Sequence, residues 1–160
     1  MTENWPSDSL GVGTSYPIEG SPFEPVANST EFAHVVMNLS KQFIVEVGMH
    51  PPVAYTLGDD HVHCMTFDPL KEHTPDLIQA MCDETNAYCL CLVMEGTLRK
   101  ADDENEVLVV SAEWEDEGSC RIFGRMYRDE EGKLTHFLVC DNETEYNNYG
   151  GNLGGFFDEN

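Results

Sequence analysis

Apolar side chains at Phe32, Val35, Val36, Leu39, Phe43 and Val47 recur at helical spacing and predict a helix over residues 28–47. Asn28 suits the N-cap, with Glu31 three positions later as in a capping box. Gly48 suits the C-terminal cap, and Pro51 and Pro52 prevent continuation. The period then shortens. Two strands are expected at 53–57 and 62–67, joined by the turn Gly58-Asp59-Asp60 as a hairpin. Thr74 caps a second helix, with Pro75 at its first position and Asp76 at the positive end of its dipole. It runs to about residue 85 and buries Leu77, Ile78, Met81 and Cys82.

The remainder of the core alternates with period two. Over 87–98, Tyr88, Leu90, Leu92 and Met94 line one face, while Cys89, Cys91 and Val93 line the other. Apolar character on both faces predicts a central strand. Further strands are expected at 106–115, 119–128 and 133–140, linked by connectors at 102–105, 116–118 and 129–132. Connections this short join antiparallel neighbours. The expectation is an α+β fold with a mostly antiparallel sheet, a β-hairpin plus a four-stranded meander, in the order α-β-β-α-β-β-β-β. Two helices would cover one face of that sheet, since neither can bury its stripe alone.

This single domain, residues 28–140, is flanked by two segments of different character. Residues 1–27 hold four prolines and neither period, and are expected to be an arm, disordered or draped on a surface. Residues 141–160 are rich in Asn, Gly and aromatics, with Tyr146, Tyr149, Phe156 and Phe157 able to anchor a tail to a surface.

Charge changes the picture more than length does. The chain of 160 residues carries 30 acids and 8 bases, a net charge of −22. A phosphate polymer needs a basic face, so direct binding of nucleic acid is excluded, and anionic membrane surfaces with it. No apolar run reaches membrane-spanning length. The first ten residues lack a secretory pattern, so the expected setting is the cytoplasm or a virion-like assembly. Six cysteines, at 64, 82, 89, 91, 120 and 140, are then expected to be reduced and mostly buried.

Within the acidity there is a pattern. In a meander the first and third turns fall at one end of the sheet. That end would carry Asp102, Asp103, Glu104, Glu106, Asp129, Glu130 and Glu131, against Lys100, Arg128 and Lys133. Such a cluster suits a basic protein surface, mimicry of a phosphate backbone, or a divalent cation, while a solvated face serves only solubility.

Two smaller constellations carry other chemistry. His61 and His63 alternate on a strand, so both imidazoles share a face and could hold zinc. The His-x-His-x-Asp-His pattern of metallo-β-lactamases is not met, because positions 65 and 66 are Met and Thr. Arg121 and Arg125 share a strand face with Phe123 between them, a stripe able to bind a carboxylate or phosphate ligand, or to pair with Glu106, Glu113 or Glu115. No nucleophile constellation or glycine-rich phosphate loop is found. Cys89 and Cys91 are spaced unlike the Cys-x-x-Cys of structural zinc knuckles.

The helix leading into Val-Gly-Met-His-Pro-Pro-Val-Ala-Tyr-Thr-Leu (47–57), then Asp-His-Val-His (60–63), Cys-Leu-Cys-Leu-Val-Met-Glu-Gly (89–96) and Glu-Val-Leu-Val-Val-Ser-Ala-Glu (106–113), resembles groups of uncharacterised bacterial and phage proteins over residues 29–140. The resemblance implies an α+β domain of no known activity, and it carries no residue over to a catalytic role. The favoured reading is a non-enzymatic acidic protein. It would be a component of a phage-related assembly or an inhibitor, binding a basic partner or copies of itself. The alternative is a metal-dependent hydrolase using His61 and His63; a small-ligand module on Arg121 and Arg125 is a third.

Overall fold

A computed structural model describes the backbone of residues 10–100, 103–115 and 118–140, and the side chains of 13–97, 106–115 and 118–139. The fold is α+β, with seven antiparallel strands and two helices among the described residues. In chain order these are β1 (Leu10–Pro17), α1 (Ser29–Val47), β2 (Val53–Gly58), β3 (His61–Phe67), α2 (Thr74–Glu84), β4 (Ala87–Lys100), β5 (Asp103–Trp114), β6 (Gly118–Arg128) and β7 (Leu134–Cys140). They form one sheet in the order β1-β3-β2-β4-β5-β6-β7. The β2–β3 hairpin and the β4–β7 meander are both present, joined where β2 pairs with β4.

β1 extends the sheet beyond the expected hairpin. It pairs with β3 from Leu10↔Phe67 to Pro17↔His61, so part of the supposed arm is an edge strand. The segment after it is folded in as well. Ile18 N–H donates to the Asp60 carbonyl at 2.9 Å, and Phe23 is buried edge-on against Phe32, ring centroids 5.6 Å apart.

The start of α1 follows its sequence signals closely. The Glu31 N–H donates to Asn28 Oδ1 at 2.9 Å, and the Glu31 carboxylate accepts from the Ala27 N–H at 2.8 Å. Gly48 ends the helix in the left-handed region, φ 99°. The buried face is rotated from the expected stripe. It runs through Phe32, Ala33, Val36, Met37, Ser40 and Ile44, whereas Phe43 and Val47 stay exposed. Ala33 and Ser40 are the small residues on this buried face. In α2, Thr74 is the first helical residue rather than the cap, and its hydroxyl donates to the Asp68 carbonyl.

The helices lie on opposite faces of the sheet, contrary to the sequence expectation that both cover one face. Cys89, Cys91 and Val93 of β4 pack in the α1 core, while Leu90 and Leu92 pack with Ile78, Met81 and Cys82 of α2. Adjacent strand residues point to opposite faces, so β4 is covered on both sides. The cause lies in β4 itself: two apolar faces need two covering layers. α1 spans β4 to β6 and touches β7, while α2 sits over Ala54, Met65 and Phe67 in the β2–β3 half.

Candidate functional site

The connections of the meander set the geometry of the acidic end. β4 and β5 are longer than expected, so their link shrinks to residues 101–102. Asp103 and Glu104 are therefore strand residues and not turn residues. Their register places Asp103 opposite Lys100 and Glu104 opposite Arg99. Asp102 and the side chains of Asp103 and Glu104 lie outside the described residues. The β4–β5 ladder runs past the end of β6, whose pairing with β5 stops at Glu106↔Met126.

Glu106 is engaged. Arg128 Nε donates to its Oε1 at 2.6 Å, and Arg128 Nη1 donates to the Gly132 carbonyl at 3.1 Å. One guanidinium thus ties β5 to the β6–β7 turn. Asp129 is also structural. Its Oδ1 accepts from the backbone N–H groups of Glu131 and Lys133, both at 2.9 Å. Gly132 completes the turn at φ 83°. Glu130 and Glu131 remain exposed at the tip, with Lys133 following. Of the seven acids expected at this end, two serve the fold and two stand free on a locked turn.

The histidine pair lies by the β2–β3 turn, beside the start of β4 and away from the acidic end. Asp59 and Asp60 both adopt left-handed φ values, 53° and 63°, which makes the tight two-residue turn. The Asp59 carboxylate accepts from Asn86 Nδ2 at 3.0 and 3.2 Å. Gly58 is required beside it, since a Cβ there would lie 2.4 Å from the Thr85 carbonyl oxygen. His61 and His63 stack with centroids 6.3 Å apart, and His61 Nδ1 donates to the Asp59 carbonyl at 3.0 Å. Burial, then the neighbouring His61, holds His63 below the ordinary imidazole value, and Asp59 opposes this. A neutral imidazole suits a metal, but among the described residues no group of three His, Cys, Asp or Glu is placed to hold one. Two donors fall short of the three or four that zinc takes from protein.

The thiols belong to the core. Cys64, Cys82, Cys89 and Cys91 carry free thiols. Burial pushes Cys82 up to about 12 and Cys64, Cys89 and Cys91 upward too. A neutral thiol is neither a good nucleophile nor a ligand. Tyr55, beside Cys64 and Cys91, is raised chiefly by burial as well.

The arginine stripe lies where the pattern placed it. Ser111↔Arg121, Val109↔Phe123 and Val107↔Arg125 are register pairs, all on the sheet face opposite α1. Arg125 Nη1 donates to Tyr127 Oη at 3.3 Å.

One feature had no clear sequence signal. His50 is buried beside Phe43, centroids 5.2 Å apart. Its N–H donates to Glu95 Oε2 at 2.7 Å, fastening the loop after α1 to β4. A lone His before two prolines and a lone Glu in a strand give no hint of each other across 45 positions.

No family model matches the chain, and no curated protein or solved structure matches it either. No helix among the described residues is long and apolar enough to cross a membrane.

Proposed function

We propose that the protein is a non-enzymatic interaction or assembly component. It docks on a basic protein surface through the acidic end of its sheet, and its acidic terminal segments add to the field. One observation carries this reading. Glu130 and Glu131 are exposed on a turn whose backbone Asp129 locks, and the nearby Arg128 is drawn inward to Glu106 and Gly132. Fixed carboxylates cost less entropy to dock than carboxylates on a loose loop. The excess of 22 negative charges over the whole chain would steer a cationic partner toward them. The shifted titratable groups among the described residues are thiols, tyrosines and histidines, each moved chiefly by burial.

The partner is a protein with a lysine- or arginine-rich patch, not nucleic acid or an anionic membrane. Affinity capture with the full chain, beside a Glu130→Lys/Glu131→Lys chain, tests this. The intact chain retains partner in low salt and the reversed chain does not. Equal retention by both would remove the reading.

A second reading, assembly with copies of itself, is favoured by β7. This edge strand has no charged residue and no proline in Leu-Thr-His-Phe-Leu-Val-Cys, and Leu138 and Val139 are 57% and 42% exposed. Edges that must stay unpaired usually carry charge or proline. Sedimentation over a range of concentrations distinguishes self-association from a foreign partner.

A further inference from the structure

The sheet face opposite α1 is covered by α2 only in part. Val107, Val109 and Phe123 lie on that face and belong to neither helix core, yet they are 0%, 3% and 1% exposed. Full burial of three apolar side chains on a sheet face needs a covering layer. Arg121, Phe123 and Arg125 are each engaged by a further interaction. The face is thus apolar in the middle, through Phe123, with a guanidinium on either side along β6. It carries two of the chain's eight bases.

We infer that this face is a docking groove for an acidic, aromatic peptide, and that its occupant is the chain's own C-terminal segment, residues 141–160. Three features select it. The segment has five acids, four aromatics and no base, which complements two arginines around a phenylalanine. It also starts in the right place. Cys140, the last residue of β7, is the register partner of Phe123, so the chain leaves the sheet beside the groove. Finally, it is long enough. Fully extended it spans roughly 66 Å, while the strands to be crossed from β7 to β5 are only about 10 Å apart in sum. The other terminal segment is poorly placed. β1 lies at the opposite edge of the sheet, five strand positions from β6. Residues 1–9 reach about 30 Å at most, and about 24 Å of that is used in getting there.

The docked segment brings a carboxylate to Arg121 and Arg125 and lays an aromatic ring on Phe123. This goes beyond the proposed function and does not depend on it, since the groove and the β6–β7 turn are separate surfaces.

Nuclear Overhauser contacts in the full chain test it directly. Contacts are expected between the Phe123 ring and aromatic protons of residues 146–157, unchanged on dilution. Hydrogen exchange on a full-length Arg121→Glu/Arg125→Glu chain gives a second measurement. Exchange in 141–157 should rise at least about tenfold there, with α1 amides unchanged, and fall back when Asp141, Glu143 and Glu145 are replaced by lysine. Three results would overturn the inference. One is absence of contacts with random-coil exchange of the segment in the intact chain. Another is contacts from residues 1–9 instead. The third is contacts that vanish on dilution, which would mean that a second copy supplies the segment.

Discussion

Arg128 Nε donates to Glu106 Oε1 at 2.6 Å, and this pair joins the third strand of the meander to the second where the acidic turns meet. The side chains are 20% and 40% exposed, so solvent screens the pair. Arg128→Ala should therefore cost about 0.5–1 kcal/mol, measured by urea unfolding. A double-mutant cycle with Glu106→Gln should return most of that loss as coupling.

The larger loss is expected at Gly124. A Cβ there would lie 2.3 Å from the tip of the Phe137 ring and 3.2 Å from Met37 Sδ. That ring sits between the sheet and α1, with Lys41 Nζ 5.8 Å from its centroid. Gly124→Ala should destabilise by about 1–3 kcal/mol, the usual range for overpacking. Gly124→Ala/Phe137→Leu should recover part of it. A loss in the single variant no larger than at an exposed site would contradict the packing.

Stability should peak between neutral and mildly alkaline pH. His50 is held low, first by burial and against its bond to the Pro51 carbonyl, and His63 is held low too. The unfolded chain takes up these protons more readily, so stability declines as pH falls below the ordinary value of 6.5. At the other end, Cys82, Cys89 and Cys91 keep their protons in the fold. The unfolded thiols ionise near 9.0, so stability declines again as pH rises through that value. Melting temperature across this range checks both limbs. A monotonic profile would contradict one of them.

The same burial predicts slow thiol chemistry. Cys82, Cys89 and Cys91 should react with a colorimetric disulfide reagent only as fast as the chain opens, and at once in denaturant. Rapid labelling of native Cys91 would show that the core is not closed.

What was legible in the sequence follows from where local chemistry was strong. Asn28, Glu31 and Gly48 mark α1 because caps act within one turn of the chain. The meander was readable because short connectors leave antiparallel pairing as the simple solution. β1 was not, since Leu-Gly-Val-Gly-Thr-Ser-Tyr-Pro has no alternation; an edge strand is selected by main-chain hydrogen bonds to β3 more than by apolar side chains. The expectation of both helices on one face gives too little weight to Leu90 and Cys91, whose opposite apolar faces call for two layers. The acidic end was seen as a cluster. That Glu106 and Asp129 would be spent on the fold depends on contacts between strands, which composition does not encode.

If Glu130 and Glu131 present a docking charge to a basic partner, the amount of captured protein will differ between the intact chain and the Glu130→Lys/Glu131→Lys chain. Capture is run at about 0.1 M and about 1 M salt, where the screening length falls from about 10 Å to about 3 Å. Retention is expected only by the intact chain in the lower salt, with both chains melting at the same temperature. Retention that is equal in both chains and unchanged in high salt would contradict it.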